Sequence, residues 1–323
     1  KIMGRTIAIV SGKGGTGKTM FAANLGATLA KMGRQTILID MDTGLRNLDL
    51  YLGLENKVVY DVNDVMNGLC RIRQAVIKDK TFPGLSFMAA SPRRDEGHLT
   101  PLHVKVLCEK LAEKYDYVIL DAAAGVDDGL DMVLGGADEA IIVMNPEISS
   151  KRDSELVTEI LRSKGMQNIY YIINKINIRL INAGFAPSME DVTRGIRNRV
   201  IGLIREDENI HISTNLGLPV VFKDNTYIAE NFRKIAKRID YEAEMLIHLA
   251  RRCFVFFRHQ QVVYLFIIHI VQKLVHSLKT SFLYHYPMVL PEYYPMPMSR
   301  EAYSDRHCLL SIPDERSTVH VPL

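Results

Sequence analysis

A glycine-rich loop between an apolar strand and a helix constrains this 323-residue chain more than any other feature. The run RTIAIV (residues 5–10) is apolar and β-branched, which is typical of a buried parallel strand. The loop SGKGGTGKTM (11–20) follows it, and MFAANLGATLAKMG (20–33) then carries apolar residues at helical spacing, with Gly33 as a predicted C-cap. This order predicts a phosphate-binding P-loop in an α/β fold, with a doubly wound, mostly parallel sheet flanked by helices.

The loop contains the pattern G-x4-G-K-[ST]. Its glycines are expected to let backbone N–H groups close on phosphate oxygens at the start of the helix. We expect Lys18 to reach the β- and γ-phosphates and the Thr19 hydroxyl to bind Mg²⁺. The predicted nucleotide-binding residues of the loop are Gly12, Gly14, Gly15, Thr16, Gly17, Lys18, Thr19 and Met20.

Two further strands end in carboxylates. QTILIDMDTGLRNLDLYLG (35–53) runs from a strand into a loop with Asp40 and Asp42, and YDYVILDAAAG (115–125) ends its strand at Asp121. Carboxylates at strand ends beside a P-loop suit Mg²⁺ binding and the orientation of a nucleophile. Asp121 is therefore predicted to hold Mg²⁺ through water, and the first pair is either part of the same site or an acidic strand-to-helix turn.

The remaining strand patterns and the composition agree with a chain that works inside the cell. EAIIVMNPE (139–147), NIYYIINKIN (168–177) and VIGLIREDENI (200–210) are predicted strands with their following loops. The four cysteines are far apart, which favours reduced thiols over disulfides or a zinc site. Because the chain enters a predicted strand at once and lacks an apolar run of roughly 18 to 20 residues, we expect neither a signal peptide nor a membrane span.

A second lysine, Lys13, gives the loop the deviant Walker A pattern K-G-G-x-G-K-[ST], which resembles the ParA/MinD family of dimerising P-loop ATPases. The resemblance implies an ATP-bound homodimer in which Lys13 contacts the phosphates of the partner subunit. It also implies that Asp42 lies in switch I and is needed for hydrolysis, with Asp40 closer to the metal. Lys13, Lys18 and Asp42 are thus the expected catalytic residues; the alternative is that Lys13 adds positive potential to its own site.

The same resemblance assigns the base site and exposes departures from the family pattern. It implies that Asn174 presents its amide to the adenine edge, unless it is an ordinary turn asparagine, and that the loop at Arg205 closes over the base. Arg205 and Ala123 replace usual prolines, and Met20 replaces a usual Ser or Thr. Losing that hydroxyl is expected to weaken nucleotide affinity by about tenfold.

GLRNLDL (44–50) and NPEISSKRDS (145–154) are similar to the MinD branch, the septum-site-determining ATPases. This resemblance implies a cytoplasmic protein that binds the anionic inner face of the plasma membrane with ATP, recruits the division inhibitor MinC and is released by MinE. It places Ser149, Arg152 and Asp153 on the partner-binding surface. A ParA-type DNA-partition ATPase and a flagellar-number regulator are the alternatives; the formal charge of +3 gives no reason to expect specific nucleic-acid binding.

The composition divides the chain into three predicted parts: an ATPase domain (1–249), a candidate amphipathic membrane helix (250–280) and a disordered tail (281–323). In the middle part Arg251 and Arg252 precede Phe254, a basic and aromatic mixture that suits an anionic membrane surface. Two alternatives remain open for this segment: a core or partner helix, and a shifted or read-through translation.

Overall fold

An eight-stranded sheet organises the computed structural model, which describes residues 3–43, 45–92 and 99–240. The strands are β1 (Arg5–Val10), β2 (Thr36–Asp40), β3 (Ile77–Lys78), β4 (Leu85–Met88), β5 (Tyr117–Asp121), β6 (Glu139–Met144), β7 (Ile169–Ile176) and β8 (Arg199–Arg205). Their order is β3-β4-β2-β5-β1-β6-β7-β8, and β3 alone among the described strands runs antiparallel to its neighbour. The predicted doubly wound, mostly parallel α/β fold is confirmed.

Helices connect the strands and cover both faces of the sheet. They are α1 (Lys18–Lys31), α2 (Leu48–Leu52), α3 (Val62–Met66), α4 (Ile72–Ala75), α5 (Pro101–Ala112), α6 (Asp128–Gly136), α7 (Ile148–Ser163), α8 (Ile178–Asn182), α9 (Met189–Thr193), α10 (Glu208–Asn215) and α11 (227–240). The predicted C-cap is confirmed: α1 ends at Lys31, and Gly33 follows with a φ of +85°.

The core consists of two apolar clusters, one on each face of the sheet. Strand β1 supplies both, since alternate side chains point to opposite faces. Ile7 and Ile9 belong to the cluster that contains Phe21 of α1, whereas Ala8 and Val10 belong to the cluster built with α5. A strand buried on both faces reads as a continuous apolar run, which is why RTIAIV predicts β1 with the bounds that the structure has.

Polar contacts fix α11 against the amino ends of the central strands. Tyr117 donates its hydroxyl to the Asp240 carboxylate at 2.8 Å, and the Arg34 guanidinium pairs with the other oxygen at 2.8 Å. Arg5 forms a charged pair with Glu139 at 2.5 Å and donates to the Ile239 carbonyl at 2.7 Å. The described chain therefore reaches residue 240 at the sheet edge opposite to the glycine-rich loop.

Two strands were not anticipated from the sequence. β4 has four residues and β3 has two, and both lie among turn residues, so neither presents a pattern long enough to be recognised. Within the described residues no helix combines the length and the apolar content that a membrane crossing needs. The predicted segments 250–280 and 281–323 lie outside the described residues.

Candidate nucleotide-binding site

The predicted site residues come together at the carboxyl edge of the sheet. The glycine-rich loop follows β1, which lies between β5 and β6. Asp40 and Asp121 end β2 and β5 and stand opposite each other in the parallel register. Asn174 lies near the end of β7. Because crevices at the carboxyl ends of parallel strands are where such sheets bind ligands, the topology assembles one site from segments far apart in sequence.

The loop has the backbone conformation of an anion-binding turn. Gly15 and Gly17 have φ values of +78° and +89°, the left-handed region that glycine tolerates best. Gly17 is the N-cap of α1, and among the described residues no side chain caps this helix start. The first N–H groups of α1 and the positive end of its dipole therefore remain available to an anion.

Two elements pack closely against the loop. A Cβ on Gly12 would lie 2.6 Å from the Asp153 Cβ of α7, and a Cβ on Gly17 would lie 2.3 Å from Asn174 Nδ2. A Cβ on Gly14, by contrast, would meet no described atom within 4 Å. Glycine is thus required at positions 12 and 17 by packing, and α7 and β7 flank the loop.

Buried polar atoms that have no hydrogen-bond partner indicate whether this site fits a nucleotide. Among the described residues, Thr16 Oγ1, Asp121 Oδ1, Asn145 Oδ1 and Asn174 Oδ1 are buried and accept or donate no hydrogen bond. Such atoms are rare because each costs the desolvation of a polar group. A hydroxyl suits phosphate, a carboxylate suits Mg²⁺ and an amide oxygen suits a base amino group. The residues present therefore fit a Mg²⁺-nucleotide.

The two strand-end carboxylates differ in their surroundings. Asp40 Oδ1 accepts the N–H of Asp42 at 2.9 Å, and Asp40 Oδ2 accepts the N–H groups of Asn47 and Leu48 at 3.1 Å each. Asp40 therefore holds the loop that carries Asp42 and the start of α2. Asp121 accepts the Thr19 hydroxyl and lies near Lys18.

Burial raises the pKa of both carboxyls, and the charge of a neighbouring carboxylate adds to each shift. Burial, and then the charge of Asp121, raise the pKa of Asp40 to about 7. Burial raises the pKa of Asp121 to about 6, although Lys18 and Thr19 oppose the shift. Ionising both carboxylates at once is costly. A divalent cation bound beside them would therefore be stabilised at this site.

Lys13 is paired within its own chain. Its Nζ lies 2.7 Å from Glu147 Oε2 and 3.3 Å from Ser149 Oγ, at the start of α7. This hydrogen bond lowers the pKa of the Glu147 carboxyl, and Asn145 also donates to that carboxylate. Sequence reasoning singled out the NPE segment but did not assign Glu147, because a pair 134 residues apart leaves no local signal.

Asn174 contacts the loop directly. It is 1% exposed, and its Nδ2 donates to the Thr16 carbonyl at 2.7 Å. One of the two N–H donors of this amide is therefore bonded to the loop, and the unpaired Oδ1 remains to accept a base amino group. The contact with the adenine edge stays a prediction. Arg205 is exposed, with its guanidinium carbon 4.8 Å from the centre of the Tyr227 ring, and its contact with a base stays a prediction.

Met20 and Ala123, the two positions near the predicted phosphate site that depart from the family pattern, are accommodated by the fold. The Met20 side chain is 4% exposed and belongs to the core cluster that contains Phe21. After Ala123, Gly125 turns with a φ of +101° and its N–H donates to the Ser11 carbonyl at 3.1 Å. The segment after β5 thus lies beside the glycine-rich loop without the usual proline.

Base selectivity follows from the Asn174 geometry. We expect tighter binding of ADP than of GDP by about tenfold, because guanine presents an acceptor oxygen where adenine presents a donor. Asn174→Ala should weaken ADP binding and bring the two affinities close together, as measured by calorimetry with Mg²⁺. Asn215→Ala, an exposed asparagine at the end of α10, is the control. Equal wild-type affinities for ADP and GDP would contradict this reading of the base.

Fold and site together define a P-loop nucleotide-binding α/β protein. Residues 7–220 match the CobQ/CobB/MinD/ParA nucleotide binding domain, and the chain belongs to this family. A putative septum site-determining protein MinD of Guillardia theta is 43% identical over 223 residues, which cover 69% of this chain and 83% of that protein. The predicted family resemblance is thereby confirmed.

Solved structures agree with this assignment. The chain is similar to the MinC:MinD cell division protein complex of Aquifex aeolicus, with 36% identity, a TM-score of 0.67 and coverage of 73% of this chain and 95% of that one. It is also similar to the septum site-determining protein MinD of Pyrococcus horikoshii complexed with Mg-ADP, with 30% identity, a TM-score of 0.68 and coverage of 75% and 98%.

Proposed function

We propose that this chain is an ATP-dependent, dimerising ATPase that positions the division septum by recruiting a MinC-type inhibitor at the membrane. The observation that carries the proposal is the second loop lysine, Lys13, which Glu147 holds beside the glycine-rich loop of the candidate nucleotide site. The matched relatives named septum site-determining protein MinD support the biological role.

The site residues have different proposed roles in phosphoryl transfer. Loop N–H groups and Lys18 would bind phosphate oxygens, while Thr19 would hold Mg²⁺ directly and Asp121 would hold it through water. Bound Mg²⁺-ATP supplies the phosphoryl group that is transferred to water. Asp42, positioned by its N–H bond to Asp40, orients that water. Lys13 of a second copy adds positive charge where negative charge develops, which makes hydrolysis depend on dimerisation.

Membrane association is proposed for residues 250–280, from their basic and aromatic composition. The test is sedimentation with phosphatidylglycerol vesicles or with neutral phosphatidylcholine vesicles. We expect the full chain to bind the anionic vesicles with Mg²⁺-ATP more than with Mg²⁺-ADP, and a chain ending at Ala250 to remain in solution. Equal ATP-dependent binding by both chains would remove this segment as the anchor.

Recruitment of an inhibitor is tested on the same vesicles. The Aquifex aeolicus structure contains MinC with MinD, and we propose that this chain binds a MinC-type protein at the start of α7, around Ser149, Arg152 and Asp153. MinC of Aquifex aeolicus should co-sediment with the vesicle-bound protein when Mg²⁺-ATP is present, and Arg152→Glu, at an exposed position of α7, should prevent this. ATP-dependent, salt-sensitive retention of non-specific DNA without MinC binding would instead favour a DNA-partition ATPase.

A further inference from the structure

Lys175 has an unusual backbone conformation next to the base-site asparagine. Its φ is +55°, so it is one of three non-glycine residues with a positive φ in the described part of the chain. A side chain with a Cβ disfavours this left-handed region, and departures of this kind concentrate at functional sites. Lys175 lies within β7, where an extended conformation would be expected.

The conformation brings two consecutive side chains to the same loop. Asn174 Nδ2 donates to the Thr16 carbonyl, and Lys175 Nζ donates to the Gly15 carbonyl, both at 2.7 Å. In a regular strand, successive side chains point to opposite faces, so both could not reach one loop. The left-handed turn at Lys175 coincides with a register shift between β7 and β8 from Ile173 to Ile176, and it breaks this alternation.

Holding these two carbonyls also orients two N–H groups. The Gly15 carbonyl and the Thr16 N–H belong to one planar peptide group, and the Thr16 carbonyl and the Gly17 N–H belong to the next. Since the described residues contain no cis peptide, each N–H points away from the carbonyl of its own peptide group. With both carbonyls bonded to the β7 side chains, the N–H groups of Thr16 and Gly17 are directed away from them, as donors for phosphate.

We propose that Lys175 is a positioning residue that presets the phosphate-binding loop, with Asn174 acting on the adjacent peptide group. This inference deepens the proposed nucleotide-dependent function and rests on it. Lys175 needs no contact with the nucleotide in this role, because it acts through the Gly15 carbonyl. Its removal should therefore weaken ADP and ATP binding by similar factors.

The experiment measures nucleotide affinity and nucleotide-free stability in the full chain. Lys175→Met removes the ammonium and keeps the Cβ, and Lys175→Arg keeps a donor. Lys175→Gly removes both the donor and the backbone strain. Lys237→Met, an exposed lysine on α11, is the matched control. Titration calorimetry with Mg²⁺-ADP and Mg²⁺-ATP gives the dissociation constants, and thermal unfolding without nucleotide gives the midpoint.

We expect Lys175→Met and Lys175→Gly to raise both dissociation constants about tenfold, as for loss of a hydrogen bond from a charged group, and Lys175→Arg to restore most of the affinity. The unfolding midpoint of the glycine variant should not fall below that of the wild type, because the glycine relieves the strained φ.

Different failures of this experiment have different meanings. Wild-type affinity in Lys175→Met would overturn the inference and leave the proposed function in place. A loss of affinity in both the methionine and glycine variants that is matched by a lower unfolding midpoint would overturn it in favour of a merely structural role. Absence of nucleotide binding in the wild type would contradict the proposed function itself, and this inference with it.

Discussion

Lys13→Ala is expected to weaken the ATP-dependent dimer at least about thirtyfold, because the proposed contact between the Lys13 ammonium and the phosphates bound by the partner subunit is lost. In the single chain the Lys13 ammonium is paired with Glu147 at 2.7 Å and lies 3.3 Å from Ser149 Oγ. To contact phosphates in a second copy, it has to leave these partners. The intrachain pair therefore competes with the proposed interchain contact.

This competition predicts the opposite effect for Glu147→Gln. The Lys13–Glu147 pair is partly exposed, with side-chain exposures of 33% and 54%, so its contribution is small. We expect Glu147→Gln to tighten the ATP-dependent dimer by about two- to fivefold. Glutamine keeps the length of the side chain and removes the charge.

The measurement is size analysis of the full chain over a range of concentrations with Mg²⁺-ATP and with Mg²⁺-ADP. An Asp42→Ala background is expected to slow hydrolysis during the run. Lys164→Ala is the matched control, because Lys164 forms a comparable exposed pair with Asp131 at 2.6 Å at the opposite edge of the sheet. A dimer that survives Lys13→Ala would show that Lys13 serves its own site. A monomer under every condition would contradict the proposed cycle.

Asp121→Asn is expected to stabilise the nucleotide-free protein at neutral pH. The pKa values of Asp40 and Asp121 are raised to about 7 and about 6, whereas an unfolded chain has aspartate pKa values of about 3.9. Between about pH 4 and pH 7 the folded protein therefore binds more protons than the unfolded chain. The contribution of this pair to the unfolding free energy must therefore fall as the pH rises through that window.

The asparagine variant removes one of the two charges and the part of this pH dependence that comes from Asp121. Its amide oxygen can still accept the Thr19 hydroxyl. The substitution removes the burial of a charged carboxylate and its repulsion of Asp40, at the loss of its attraction to Lys18. We expect its unfolding free energy at pH 7.5 to exceed that of the wild type by roughly 1 to 3 kcal/mol, and the two proteins to converge at or below about pH 4.

Urea unfolding in the presence of a chelator, from about pH 4 to about pH 8, tests this expectation. Glu159→Gln removes an exposed carboxylate from α7 and is the control. Carboxyls with lowered pKa values, such as Glu147, contribute in the opposite direction but are common to all three proteins. If Asp121→Asn is less stable than the wild type at pH 7.5, the two carboxylates are not the source of strain at this site.

The local sequence pattern was sufficient to predict those parts of the fold and the site that neighbouring residues form. The predicted strand 5–10 has the same bounds as β1, and the glycine-rich loop leads into α1 as expected. Asp40 and Asp121 were placed correctly at strand ends, because an apolar run that stops at an acid is visible in the sequence. β3 and β4 were missed since each is shorter than the pattern that identifies a strand.

The sequence by itself determined the glycine-rich loop, its two lysines and the strand-end acids, because these rest on residue type and spacing over a few positions. Only the tertiary structure decided the pairing of Lys13 with Glu147 and the contacts of Asn174 and Lys175 with the loop, which join residues more than 130 positions apart. The physical reason is the order of strands in the sheet. It places β6 next to β1 and β7 next to β6, and no local pattern contains that order.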